Sequence, residues 1–181
     1  LQSSHKHKPA YVYASSEESV GDIRNEVDAA QSLGIPASFK ADLPLPFKTY
    51  GAVCFSNQAQ FHPRKYLCAL AREIEGDGCH IFEKTRALKI EGDGPVTITT
   101  DKGTIKAHKV IQATHFPIHD KPGMLFQRLY QSRSYVLGVR IEEHFPQGMF
   151  ISAEEPVRSL RSQSTGEGEL TLVSGEGHRM S

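Results

Sequence analysis

The chain has 181 residues, 38% hydrophobic and 23% charged, enough for one good-sized domain or two small ones. Its formal net charge is +0, so no global field draws it to nucleic acid or to an anionic membrane. No apolar run approaches the roughly 20 residues of a membrane-spanning helix.

Leu1–Lys8 is polar and basic, without the apolar core of a secretory signal. Three cysteines without a Cys-x-x-Cys pattern give neither a disulfide framework nor a zinc or iron–sulfur site, and reduced cytoplasmic thiols are the expectation. The chain opens on Leu rather than Met, which points to a longer parent. In Leu1–Pro9, His5 and His7 lack further ligand types nearby, so a solvated basic tail is expected rather than a metal site.

Tyr11–Ala14 reads as a short strand, followed by a helix capped by Ser15 or Ser16 with Glu17 and Glu18 in its first turn. Val20, Ile23, Val27, Ala30 and Leu33 recur at helical spacing as a core stripe, and Gly34 with Pro36 stops the helix. Ala41–Lys48, with Pro44 and Pro46, is extended and irregular. Gly51–Phe55 is a strand, and Pro63 opens a helix with Tyr66, Leu67, Leu70 and Ile74 along one side.

Cys79–Thr114 predicts four strands in series. His80–Ile90 comes first. Val96–Thr100 alternates strictly, Asp101-Lys102-Gly103 turns, and Thr104–Ala107 returns. Lys109–Ala113 carries Val110-Ile111 unalternated, as a strand buried on both faces would. Beyond it, Phe126–Tyr130, Arg133–Ile141, Met149–Ser152, Val157–Gln163 and Glu169–Ser174 read as further strands of an antiparallel sheet, which Tyr11–Ala14 could join. The fold class is therefore α+β: an antiparallel sheet with helices on one face, beside a segment of helix, β-meander and buried strand.

The pattern Gly-x-x-Ile-x-x-x-Thr, then Val-x-x-Thr-x-x-Gly-x-Ile-x-Ala-x-x-Val-Ile-x-Ala-Thr, resembles the flavin half of FAD-dependent oxidases of the D-amino-acid-oxidase and glycine-oxidase (DAO) type. Phe61-His62-Pro63-Arg64-Lys65-Tyr66-Leu67 is similar to the branch fused to a Rieske [2Fe-2S] domain.

The resemblance implies a first part of the substrate domain in residues 1–50, a partial FAD-domain segment in 51–120, and substrate-domain sheet strands in 121–181. It also implies a small amine or amino-acid substrate, FAD in the full-length parent, and a [2Fe-2S] centre in a domain outside this stretch. Ala87 would meet the adenine through its backbone, and Ala113, Thr114 and His115 would lie against the dinucleotide. Phe150 and one of Arg158 and Arg161 would face substrate. The two arginines are three apart and so point to opposite sides of a strand. Arg suits a carboxylate because its planar fork grips both oxygens.

Several features limit these expectations. The Gly-x-Gly-x-x-Gly turn that cradles a pyrophosphate is absent from the sequence, so this stretch alone is expected to be inactive. No residue is expected to be catalytic by itself, because a flavin takes the hydride. His62 reads as a helix-entry cap or as a residue at the cofactor's edge. Glu154-Glu155 read as solvated turn acids. Exposed strand edges could pair two copies into a homodimer. The alternative is a non-enzymatic α+β module that binds a ligand or partner.

Overall fold

A computed structural model describes residues 6–120 and 123–180. His5 lies outside these residues. The chain divides into two compact units, one made of residues up to Cys68 with Ser132–Arg179, the other centred on Ala69–Gln131.

The first unit is built on a seven-stranded sheet. Its strands are β2 (Ala10–Ala14), β3 (Ala37–Lys40), β4 (Gly51–Phe55), β9 (Ser132–Val139), β10 (Met149–Ser152), β11 (Ser159–Thr165) and β12 (Gly168–Arg179). Their order is β3-β4-β2-β10-β11-β12-β9. The expected antiparallel sheet is in fact mixed. β2 and β10 run parallel, with Tyr11 opposite Phe150, so segments far apart in the chain meet at the centre.

Helix α1 (Val20–Ser32) covers one face. Ile23, Val27 and Ala30 are buried at spacings of four and three, against Ala14, Ala37 and Val53. Leu33, expected in this stripe, is instead the helix cap and 76% exposed. The helix ends at Gly34 with φ 74, where Gly34 N–H donates to Gln31 O and Ile35 N–H to Ala30 O. At the other end Ser19, not Ser15 or Ser16, is the cap residue, since the helix starts only at Val20; the amides of Ser15 and Ser16 hold the Glu154 carboxylate.

Residues read as a solvated tail are structured. β1 (Lys6–His7) pairs antiparallel with β5 (Ala59–Gln60), and Lys8 is buried. Its amide donates to Gln58 O at 2.9 Å, which continues the ribbon.

The second unit contains the meander β6 (Ala87–Glu91), β7 (Val96–Thr100) and β8 (Gly103–Ala107). Three strands form where four were expected. Residues 80–86 stay outside β6, and Lys84 at φ 51 has a backbone that no strand accepts. Lys109–Ala113 forms no strand at all, and Ile111 is 91% exposed. An unalternated apolar run is held as a strand by neighbours covering both its faces, and no described strand pairs with this one. Phe126–Tyr130 is likewise not a strand. Leu125–Arg128 makes a 3₁₀ turn whose first amides, Leu125 and Phe126, donate to the Asp120 carboxylate.

Helix α2 (Pro63–Ile74) runs from the first unit into the second. Its apolar stripe of Tyr66, Leu67, Leu70 and Ile74 is exposed.

Candidate functional site

The sheet face away from α1 carries the candidate site. Register lines up Tyr11, Phe150, Leu160, Val173 and Leu137 across five strands, so all five project from the same face. Phe150 is 2% exposed. It stacks on Tyr11 at 4.9 Å and 8°, and meets Phe145 edge-on at 5.8 Å. Gly148 makes this stack possible: a Cβ there, at φ 152, would lie 2.8 Å from the Tyr11 ring and 2.9 Å from the Phe150 ring.

Beside the aromatic stack lies a groove of about 760 Å³ walled by Phe47, Val139, Phe145, Leu160, Thr171 and Val173. Phe47 also borders a smaller polar pocket of about 300 Å³ with Tyr13, Ser15, Ser152, Glu154 and Arg158. The two cavities thus share one aromatic wall, whose ring lies 5.8 Å from that of Tyr13.

Arg158 is the only arginine of the expected pair on this side. Its backbone is locked to β10, with Arg158 N–H donating to Ser152 Oγ and Ser152 N–H to Arg158 O, each at 2.9 Å. Its guanidinium Nη2 pairs with Glu176 Oε1 at 2.7 Å on the surface. Arg161 stands opposite Met149 and Leu172, on the face that carries α1.

Glu154 is not the free turn acid expected. Its Oε1 accepts the Ser15 N–H at 2.8 Å and the Ser16 N–H at 3.2 Å. Burial works against its charge, but hydrogen bonds from Ser15, Ser19, its own amide and Ser16 outweigh that and hold its pKa below the ordinary value. Burial raises the Tyr13 pKa, the Glu154 charge adds to the rise, and Arg158 opposes it. The hydroxyl therefore stays protonated and able to donate.

The remaining expected residues lie in the second unit. Ala87 opens β6 opposite Thr100 and is half-buried. Ala113, Thr114 and His115 form an exposed turn. There Thr114 Oγ1 donates to Phe116 O at 2.7 Å, and His115 has φ 65. His62 Nδ1 accepts the Lys65 N–H at 3.4 Å, a long cap for α2. Among the described residues no group of three or more His, Cys, Asp or Glu could hold a metal.

Tyr13, Phe47, Phe145 and Glu154 were not singled out from the sequence as site residues. Tyr13 alone carried a usable signal, two residues from Tyr11 on one strand.

These residues do not by themselves fit a flavin dinucleotide. Its pyrophosphate needs free helix N-terminal amides behind a glycine turn. The amides ahead of α1 already hold a carboxylate, and α2 opens on Pro63, which has no N–H to offer. What is present is an apolar groove beside a smaller polar pocket.

The family model described as "DAO: FAD dependent oxidoreductase" matches residues 2–177, and the chain belongs to this family. It is 38% identical over 171 residues to YhfW of Bacillus subtilis (strain 168), which carries the name of a Rieske 2Fe-2S iron–sulfur protein; the match covers 94% of this chain and 34% of YhfW.

The fold superposes on glycine oxidase from Bacillus cereus ATCC 14579 with TM-score 0.79 at 16% identity, over 100% of this chain and 52% of that one. It superposes on L-proline dehydrogenase from P. horikoshii with TM-score 0.70 at 18% identity, over 98% and 50%. The chain therefore spans about a third of its curated relative and half of these solved chains.

Proposed function

We propose that this chain is the substrate-binding roof of an FAD-dependent oxidoreductase that oxidises a C–N bond of an amine or amino acid, with electrons passing on to a Rieske [2Fe-2S] centre in another domain. The observation that carries the reading is Arg158. It is a cation lining the polar pocket that shares the Phe47 wall with the apolar groove, on the sheet face opposite α1 among the described residues.

In this reading the substrate carboxylate takes Arg158 in a forked hydrogen bond, displacing the exposed Glu176 partner. The Tyr13 hydroxyl and Ser152 stand beside it in the same pocket and orient the bound group. The substrate side chain lies along Leu160 and Val173, which keep water from the reacting carbon. When bound in the full-length protein, FAD would supply the hydride acceptor, and Ala87, Ala113, Thr114 and His115 would be the residues to contact it.

The family membership, the likeness to YhfW and the amino-acid enzymes among the fold's neighbours support this reading.

The test uses the full-length protein, purified with its flavin and mixed anaerobically with amino acids and with amines lacking a carboxylate. Flavin bleaching followed by the electron-paramagnetic signal of a reduced [2Fe-2S] centre is expected. Arg158→Ala should raise KM for carboxylated substrates about 10- to 100-fold, the loss of a charge-assisted hydrogen bond, while Arg161→Ala leaves KM alone. Flavin that no amine or amino acid bleaches would overturn the proposal.

A further inference from the structure

Glu176 stands where β12 breaks register. Gly175 pairs with Tyr135 of β9 and His178 with Arg133, with a bulge between them. Inside the bulge Glu176 has φ 54, a backbone that glycine adopts far more readily than glutamate. Glycines flank it on both sides, at Gly175 and Gly177, yet the strained position itself carries an acid. A bulge re-aims a side chain, and bulges gather beside active sites. This one aims Glu176 at Arg158, whose Nη2 donates to Glu176 Oε1 at 2.7 Å. His178 Nδ1–H donates to Glu176 O at 3.0 Å, and the His178 ring stacks on Tyr135 at 5.7 Å, which steadies the bulge.

Gly175 brings the cation to the acid. A Cβ there would lie 3.1 Å from Arg158 Cγ and 3.3 Å from Val157 O, so the arginine stem crosses β12 over bare backbone. Stability does not explain the arrangement. The Arg158 and Glu176 side chains are 56% and 62% exposed, and an ion pair so open to water adds little to folding. It does not offset a glutamate held at positive φ. What the bulge does provide is an anion beside the cation that lines the polar pocket.

We propose that Arg158 and Glu176 form a two-point clamp for a zwitterion: Arg158 takes the substrate carboxylate, and Glu176, released from Arg158, takes the substrate ammonium. The inference rests on the amine-oxidation reading above and narrows its substrate to an α-amino acid. One ion pair is exchanged for two, and the charges balance without another ion. A carboxylate lacking the amine would leave Glu176 unpaired. An amine lacking the carboxylate would meet a Glu176 already neutralised by Arg158. A molecule with both charges on one carbon satisfies both residues.

Three ligands of one shape test it: α-aminoisobutyrate, pivalate, which has a methyl in place of the amine, and tert-butylamine, which has a methyl in place of the carboxylate. None carries a hydrogen on its central carbon, so none is oxidised, and binding is read by calorimetry on the full-length flavin protein. The wild type should hold α-aminoisobutyrate about 10-fold or more tighter than either of the others, the worth of one charged hydrogen bond. Glu176→Gln should weaken α-aminoisobutyrate about 10-fold. It should leave pivalate as tight or tighter, since the acid that competes with pivalate for Arg158 is gone. Glu176→Gly suits the backbone at φ 54 and should do the same, which covers the case in which the glutamine variant does not fold.

Equal wild-type affinity for the three ligands overturns the proposal. So does α-aminoisobutyrate binding that neither variant weakens, or a loss for pivalate as large as that for α-aminoisobutyrate. A wild-type protein that binds neither α-aminoisobutyrate nor pivalate marks the failure of the Arg158 reading itself, and this inference falls with it.

Discussion

Phe150 shows how one side chain joins fold and site. It is sealed between Tyr11 and Phe145, and its neighbour across β11 is Leu160, a wall of the groove. Phe150→Ala should destabilise the first unit by about 3–5 kcal/mol, read as a shift in the urea midpoint with unchanged slope. Gly148→Ala should cost about 1–3 kcal/mol, since the added methyl must push two rings apart.

Glu154 makes a pH prediction. Folding depresses its pKa, so its contribution to stability is present above the unfolded-state value and is lost as pH falls through the folded one. A Glu154→Gln variant should show a flatter melting temperature between about pH 3 and 5 than the parent. The sequence placed Arg158 and Arg161 on opposite faces correctly, because alternation is a local rule. It could not show that Glu154 reaches the amides of Ser15 and Ser16, because the separation of 139 positions between Ser15 and Glu154 is closed only by the tertiary fold.

Among the elements, those governed by local pattern were legible. α1, α2 and the β7–β8 hairpin follow from apolar spacing and from Gly and Pro punctuation. The losses have a common cause. Lys109–Ala113 looked like a strand from composition, yet a strand exists only where partners complete its hydrogen bonds. β1 looked like a tail because two residues carry no periodicity, and pairing with β5 and burial of Lys8 make it an element.

The ribbon can be tested directly. Folding lowers the Lys8 pKa, so stability should climb as pH rises from that depressed value toward the ordinary lysine range. Lys8→Met should lack the climb in chemical unfolding followed across pH 8–11, a window set by the ordinary lysine value of about 10.4.

For the molecule as a whole, apolar surface left in the open is the dominant feature. β9 is an edge strand with Tyr135, Val136, Leu137 and Val139 exposed, and the α2 stripe is exposed as well. Single exposed apolar residues are ordinary, but contiguous ones mark contact surfaces. An unprotected edge also invites pairing with another copy. Sedimentation of the isolated chain should therefore give a dimer mass, and Val136→Lys on β9 should return it to a monomer with little loss of stability. A wild-type chain that sediments as a monomer would remove the case for pairing through β9.

The parallel contact of β2 with β10 also bears on how the polypeptide is made. The outer edge of β2 meets its neighbour only after Met149–Ser152 has left the ribosome. Until then the strands β3, β4 and β2 stand as a half-finished sheet with one raw margin, while all of Ala69–Gln131 is being synthesised. A pause in translation within that interval would prolong the one stage at which a nascent neighbour could capture the margin first.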